Sequence, residues 1–278
     1  MGWNKAIKEK LHFLGTVLAK FDKDHGFYLS SGIAFSLLIS LIPLSLLLLA
    51  LMGTYLYSDR EVLDHLRYFM GQVVPSLDPT LEENILEIIR SRKIVGILGI
   101  GGLIWTATWV FSSLRTALNI VFQVKKGRGI FKGKAVDLLM IFLTGLFHLA
   151  SIGLSSAVIY IDRTSSGFFL ESGLITRFFM RYLMPYVFSF CMFFLVYQVI
   201  PNKKIHFRTA CWAALFTGLL WEAAKLFFGW YVLNLGRFSL VYGYLSTLAI
   251  FVLWVYYSTA ILILGGEVAF LLEERRTG

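Results

Sequence analysis

Charged residues are scarce in this chain, and so are cysteines. Only 15% of its 278 residues are Asp, Glu, Lys or Arg, whereas soluble domains usually carry about 25%. This shortage, together with a hydrophobic fraction of 57% and a mean hydropathy of +0.71, excludes an ordinary soluble enzyme and a disordered chain. Cys191 and Cys211 are too few for a disulfide scaffold, and both predict packed thiols in or beside apolar segments.

Motifs of the common enzyme classes are also missing. The sequence holds no P-loop, no Gly-x-Ser-x-Gly elbow and no His, Cys, Asp or Glu spacing typical of a metal site. We therefore expect neither an enzyme nor a bound metal or cofactor. The first apolar run, from residue 29 to 57, far exceeds the roughly 7–15 residues of a signal-peptide core, so it predicts a membrane span.

Long apolar runs predict an all-α polytopic membrane protein, with one membrane domain over residues 1–278. A spanning helix needs about 20 mainly apolar residues. Six segments meet this requirement: 28–57, 94–122, 136–161, 179–200, 209–235 and 240–272. Residues 1–27 predict an amphipathic helix on the cytoplasmic side, and residues 58–93 predict a short periplasmic helical hairpin. Pro43 falls inside the first span, where it predicts a kink.

The distribution of basic residues orients this bundle. Fifteen lysines and arginines lie in the N-terminal segment, the second-to-third and fourth-to-fifth loops and the C-terminus, whereas nine lie on the opposite side. The positive-inside rule places both termini in the cytoplasm. The basic balance is thus explained by topology, and it predicts no nucleic-acid partner.

The N-terminal segment carries an apolar stripe at helical spacing, formed by Trp3, Ile7, Leu11, Leu14 and Leu18. A basic amphipathic helix ahead of a span is typical of a helix that lies on the inner leaflet. Docking of the same helix on the protein's own loops explains the stripe equally well. The sequence leaves both interpretations open.

Ionisable residues inside spans are costly, so each is a functional-site hypothesis by default. Glu222 and Lys225 are three residues apart in the fifth span and share one helix face. They are either part of a substrate path or a structural ion pair. Arg115 and Glu267 lie at similar depths in the second and sixth spans, and their opposite charges predict a pair.

Polar and small residues form stripes at helical spacing on several helices, for example Gly32, Ser36, Ser40 and Pro43 in the first span and Thr108, Ser112, Arg115 and Asn119 in the second. Such faces usually mean close helix packing, but four stripes together favour a polar cavity. We expect its lining to include the following side chains: Ser36, Ser40, Arg115, Asn119, Glu222, Lys225, Tyr242, Trp254 and Glu267.

The first-span sequence "SSGIAFSLLISLIPLSLLLLALMG" resembles the N-terminal signature of the YihY/BrkB family, whose members were once mislabelled ribonuclease BN. "LRTALNIVFQV", the segment from "VIPNKKIHFRTACW" and the tail "VYGYLSTLAIFVLWVYYSTAILILGGEVAF" follow the same family pattern in order. The resemblance covers about residues 25–272. It implies an inner-membrane protein with six spans. Recurrent family positions are Pro43, Asn119, Pro201, Glu222, Tyr231, Tyr242, Gly243, Trp254, Gly265 and Glu267, of which Pro43, Pro201 and Gly265 are expected to be structural. Ser36 departs from the aromatic residue that many members carry.

The resemblance implies transport of lipids or envelope intermediates. We therefore expect a transport protein that moves a lipid or another anionic amphipathic envelope component, with membrane lipids as partners. Arg115 and Lys225 would attract the anionic headgroup. A channel or carrier for small ions or solutes, and a scaffold for envelope machinery that transports nothing, are the alternatives. The sequence leaves oligomerisation open.

Overall fold

The structure, a computed structural model, describes residues 2–56, 87, 91–164, 183–235 and 244–277. Within these ranges the chain forms seven helices and no strand. They are α1 (Gly2–Lys23), α2 (Gly26–Leu56), α3 (Arg92–Val121), α4 (Ile130–Thr164), α5 (Met184–Val199), α6 (Phe207–Leu235) and α7 (Tyr244–Thr277). The predicted all-α membrane-protein class is confirmed, whereas nearly all of the predicted hairpin at 58–93 lies outside the described residues.

Among the described residues, four helices are long and apolar enough to cross a membrane. Their spanning stretches are Gly26–Leu51, Arg92–Val121, Phe207–Val232 and Leu248–Thr277, and they correspond to the first, second, fifth and sixth predicted spans. The predicted third span lies inside α4, and the described part of the fourth is α5, a shorter apolar helix. Large apolar side chains on the outside of these helices, such as Ile97 and Leu226, are exposed, as expected of surfaces that face lipid.

The chain divides into two compact units, Met1–Phe35 with Phe111–Gly278, and Ser36–Val110. In the smaller unit, glycines allow α2 and α3 to approach closely. A Cβ added to Gly99 would lie 3.0 Å from the backbone nitrogen of Leu47, and one added to Gly102 would lie 3.0 Å from Pro43 Cβ. Small residues thus permit backbone contact between these two apolar helices.

In the larger unit, α6 packs on α5 and α7 around a buried tyrosine. The Tyr197 hydroxyl donates a hydrogen bond to the carbonyl oxygen of Leu262 at 2.8 Å and lies 2.9 Å from Thr217 Oγ1. Gly265 of α7 faces both hydroxyls, and a Cβ there would overlap both oxygen atoms. The absence of a side chain at Gly265 therefore makes this polar junction of three helices possible.

Short loops and helix ends meet at one end of the larger unit, which we call the basic end. It comprises the second half of α1, the α3–α4 loop (122–129), the α5–α6 loop (200–206) and the last turns of α7 (267–277). Arg128 donates to the carbonyl oxygens of Val199 and Pro201, each at 3.2 Å. Asn119 Oδ1 accepts a hydrogen bond from the backbone N–H of Asn202 at 2.9 Å. The Arg128 bonds satisfy a carbonyl at the end of α5 and one in the loop after it, and the Asn119 bond satisfies a backbone N–H of the same loop.

Helix α1 contacts α7, but the buried residues of α1 are not those of the predicted apolar stripe. Val17 and Phe21, on a neighbouring edge of the helix, are buried. Leu11, Leu14 and Leu18 of the predicted apolar stripe are instead exposed. The alternative in which this stripe docks on the protein is therefore wrong for its described leucines, because a neighbouring edge carries the packing.

A two-residue turn joins α1 to α2. His25 has a φ of 56°, in the left-handed region that reverses a chain after a helix. Gly26 then begins α2 directly against the Phe21 ring, where an added Cβ would lie 2.5 Å from Cδ2. The end of α1 is consequently fixed within three residues of the first spanning stretch.

Candidate functional site

Lys20 connects three helices at the basic end. Its Nζ lies 2.6 Å from Glu267 Oε2 on α7, 2.5 Å from Asp24 Oδ2 and 2.9 Å from the carbonyl oxygen of Val121, at the end of α3. The Glu267 side chain is completely buried, and that of Lys20 is 10% exposed. Lys20 Nζ also lies 4.1 Å from the Phe270 ring centroid, a distance typical of a cation–π contact. Such a buried carboxylate requires a charged partner.

Arg115 forms a second ion cluster with α4. Its Nε and Nη2 each lie 3.0 Å from one carboxylate oxygen of Asp137, a bidentate geometry. Ser112 Oγ donates to Asp137 Oδ2 at 2.8 Å and accepts a hydrogen bond from Lys134 Nζ at 3.1 Å. A Cβ on Gly133 would lie 2.7 Å from Arg115 Nη1, so the guanidinium fills the space that this glycine leaves. Arg115, Lys134 and Asp137 together carry one net positive charge.

The predicted pair between Arg115 and Glu267 is wrong. Matched depth and opposite charge suggested it, but each residue has a different partner. Asp137 neutralises Arg115, and Lys20 neutralises Glu267. Both partners lie closer because α1 docks on α7 and α4 passes beside α3, and neither neighbour relation follows from the depth of a residue.

A groove that carries several hydroxyl groups lies between the facing ends of α2 and α3 within the larger unit. We call it the serine groove; its volume is 730 Å³, and it is lined by Tyr28, Leu29, Ser31, Gly32, Ile33, Phe35, Ser112, Ser113, Thr116 and Ala117. Ser112 belongs both to this groove and to the Arg115 cluster. The groove therefore joins a wall of hydroxyl groups to a site of net positive charge. Gly32 has no atom within 4 Å of where its Cβ would be, so the groove is open there.

Glu222 and Lys225 pair with each other on α6. Glu222 Oε1 lies 2.7 Å from Lys225 Nζ, and the two side chains are 31% and 35% exposed. An aromatic groove of 440 Å³ lies between the same helix and α7, lined by Ala224, Phe227, Phe228, Tyr231, Ile250, Leu253, Trp254, Tyr257 and Ile261. The ring centroid of Trp254 lies 4.4 Å from that of Phe228 and 5.2 Å from that of Trp221, and both pairs of rings are tilted. The ion pair thus borders an almost wholly apolar surface.

The remaining predicted residues are dispersed. Asn119 and Pro201 form hydrogen bonds within the basic end, and Gly265 lies at the Tyr197 junction. Ser36 and Ser40 belong to the smaller unit, where Ser36 is buried and Ser40 Oγ donates to a carbonyl of its own helix. Pro43 belongs to the same unit. Tyr242 and Gly243 lie outside the described residues.

Four charged residues of these clusters were not selected from the sequence: Lys20, Asp24, Lys134 and Asp137. Lys20 lies in the amphipathic segment, where a lysine is normally solvated. Asp137 lies near the start of the predicted third span, and an intramembrane acid is a signal that could have identified it. Lys134 precedes Asp137 by three residues, so it shares the helix face of that acid.

Comparisons with known proteins place this chain in a family of membrane proteins. The family model described as virulence factor BrkB matches residues 17–278. A UPF0761 membrane protein of Glaesserella parasuis is 30% identical over 201 residues, covering 72% of this chain and 70% of that protein. One from Cronobacter sakazakii is 28% identical over 268 residues, covering 96% and 90%. One from Pseudoalteromonas atlantica is 25% identical over 249 residues, covering 89% and 82%. No solved structure matches the chain.

Proposed function

The chain belongs to the BrkB family of membrane proteins, and from this premise we propose that it translocates an anionic amphipathic molecule across the membrane. The serine groove is the observation that carries this proposal. Its 730 Å³ lie between two apolar spanning helices and fall within the range of about 300–1,000 Å³ typical of ligand pockets. Four serine and threonine side chains among mainly apolar ones, Ser31, Ser112, Ser113 and Thr116, suit a headgroup whose tail stays in lipid.

The charge beside the groove favours an anion. Lys134 is 46% exposed and donates to Ser112, which lines the groove. Arg115 and Lys134 share the single carboxylate of Asp137, so one positive charge remains uncompensated in this cluster. Hydroxyl groups can rotate to donate to a bound anion, and a nearby cation strengthens such hydrogen bonds.

The orientation of the protein is part of the same proposal. The basic end lies on the side of the spans that carries fifteen of the 26 lysines and arginines, so in this proposal it faces the cytoplasm of a bacterial inner membrane. The serine groove uses the ends of α2 and α3 nearest this side. A headgroup would therefore be captured from, or released to, the cytoplasmic leaflet. We propose that the cargo is moved without chemical change; the described buried carboxylates form ion pairs with lysine, arginine or histidine.

Filling the groove tests this proposal directly. Gly32→Leu places a side chain in the groove without displacing a neighbour, because nothing lies within 4 Å of the added Cβ. Gly145→Leu is the matched control, since Gly145 is an exposed glycine in α4 with the same open surroundings. Each variant is reconstituted in liposomes that contain a headgroup-labelled anionic phospholipid, and dithionite is added outside.

Wild type and Gly145→Leu should lose more than half of the fluorescence, because inner-leaflet label is brought outside. Gly32→Leu should stop near half. Wild-type quenching that also stops at half would refute phospholipid translocation and leave solute transport and scaffolding as the alternatives. Equal rates for Gly32→Leu and wild type would exclude the serine groove as the path.

A further inference from the structure

Helix α1 has two apolar edges, and only one of them is covered by protein. Val17 and Phe21 are buried against the rest of the chain, whereas Leu11 and Leu18 are 61% and 58% exposed. Leu14 lies between these two leucines on the same helix face and is also exposed. We propose that α1 is an in-plane membrane anchor whose leucine face binds the anionic lipid leaflet at the basic end.

The rotation of α1 is fixed by its docked edge. Lys20 pairs with Glu267 and contacts the Phe270 ring. Near the other end of the contact, the Arg275 guanidinium lies 4.6 Å from the Phe13 ring centroid. These contacts hold two separate turns of α1 against α7. The leucine face therefore points in one direction, away from both contacts.

The height of α1 is fixed by the turn that follows it. Only Asp24 and His25 separate α1 from α2, and the first spanning stretch begins at Gly26. Leu18 consequently lies within eight residues of a membrane-crossing helix. Tyr28, at the start of that helix, is 78% exposed, and exposed tyrosine is typical of the membrane–water interface. The leucine face is thus held near the headgroup boundary.

The net positive charge of α1 favours anionic lipid as the partner that covers its leucine face. Helix α1 contains five lysines but only two acids. Lys20 forms an ion pair with Glu267, whereas Lys8 and Lys23 are exposed. An amphipathic helix with a leucine face and a net positive charge binds a leaflet through both apolar burial and attraction to anionic headgroups. A protein partner that covered the leucines would gain nothing from these lysines unless it were acidic.

Spin labels on opposite faces of α1 measure its depth in the full-length protein. Leu18 and Glu9 are nine residues apart, which is two and a half helical turns, so they face opposite directions. Both are exposed. Cys191 and Cys211 are replaced by Ser, and a single cysteine is introduced as Leu18→Cys or Glu9→Cys. The labelled proteins are placed in nanodiscs of phosphatidylglycerol or of phosphatidylcholine, and relaxation by oxygen is compared with relaxation by a water-soluble nickel complex.

In phosphatidylglycerol, the label at position 18 should be relaxed mainly by oxygen and the label at position 9 mainly by nickel. The oxygen preference at position 18 should fall in phosphatidylcholine. Equal nickel access at both positions in phosphatidylglycerol would overturn the anchor. Weak access of both reagents to position 18 would also overturn it, because a second copy or another protein would then cover the leucines. Equal depth in the two lipids would overturn the preference for anionic lipid.

Discussion

Replacement of Lys20 by Met tests whether the buried ion pair holds the basic end together. Glu267 is completely buried, and its Oε2 receives the Lys20 ammonium at 2.6 Å. Its other oxygen, Oε1, has no hydrogen-bond partner among the described residues. Loss of Lys20 would therefore leave a buried carboxylate without a counter-charge. Removal of one partner from a buried ion pair typically costs about 3–5 kcal/mol, so Lys20→Met should lower the free energy of unfolding by about that amount.

Two further variants separate this effect from the loss of a positive charge. Lys23→Met removes the same charge from an exposed position in the last turn of α1 and should change stability by no more than about 0.5 kcal/mol. The double variant Lys20→Met/Glu267→Gln removes both charges and should recover about 0.5–3 kcal/mol relative to the single variant. Unfolding is followed in lipid bicelles by steric trapping. The reasoning is refuted if Lys20→Met is as stable as Lys23→Met, or if the double variant recovers nothing.

Two other substitutions test the α6 interfaces. Gly265→Ala should destabilise the protein by about 1–3 kcal/mol, because the new methyl group would overlap the Thr217 and Tyr197 side-chain oxygens. The control is Gly145→Ala, at a position with open surroundings. It should be neutral or slightly stabilising in the same unfolding assay. Glu222→Gln should lower dithionite-measured lipid transport while changing stability by no more than about 1 kcal/mol, because the pair with Lys225 is about one-third exposed. Unchanged transport would make that pair structural.

The helices were predictable because the length and apolar composition of each run indicate a membrane-spanning helix without reference to the rest of the chain. The ion clusters were not, because their members come from elements that are distant in sequence. Arg115 and Glu267 were correctly recognised as charged residues inside spans, but their partners depend on how α1 and α4 pack. Glu222 and Lys225 pair as their spacing indicated, since both lie on one turn of α6. Local periodicity thus predicted the local pair and failed for the tertiary ones.

The serine groove was likewise predicted in its local features but not in its tertiary neighbours. The small and polar stripes of the first and second spans predicted a polar surface, and Gly32 and Ser112 do line one. Ser36 belongs to the same predicted stripe as Gly32, but it lies in the other unit. Helical periodicity identifies the face of a helix, whereas the neighbours of that face are set by packing along its whole length.

The contact between Lys20 and Glu267 also constrains the order of biogenesis. The two residues are separated by 247 positions, which corresponds to roughly 12–50 s of synthesis at about 5–20 residues per second. Throughout that interval Lys20 has been synthesised, but its binding surface on the last helix does not yet exist. The first helix made is therefore among the last to be locked in place. A chain that stalled before the last helix would leave the Lys20 ammonium without Glu267 and without the Phe270 ring.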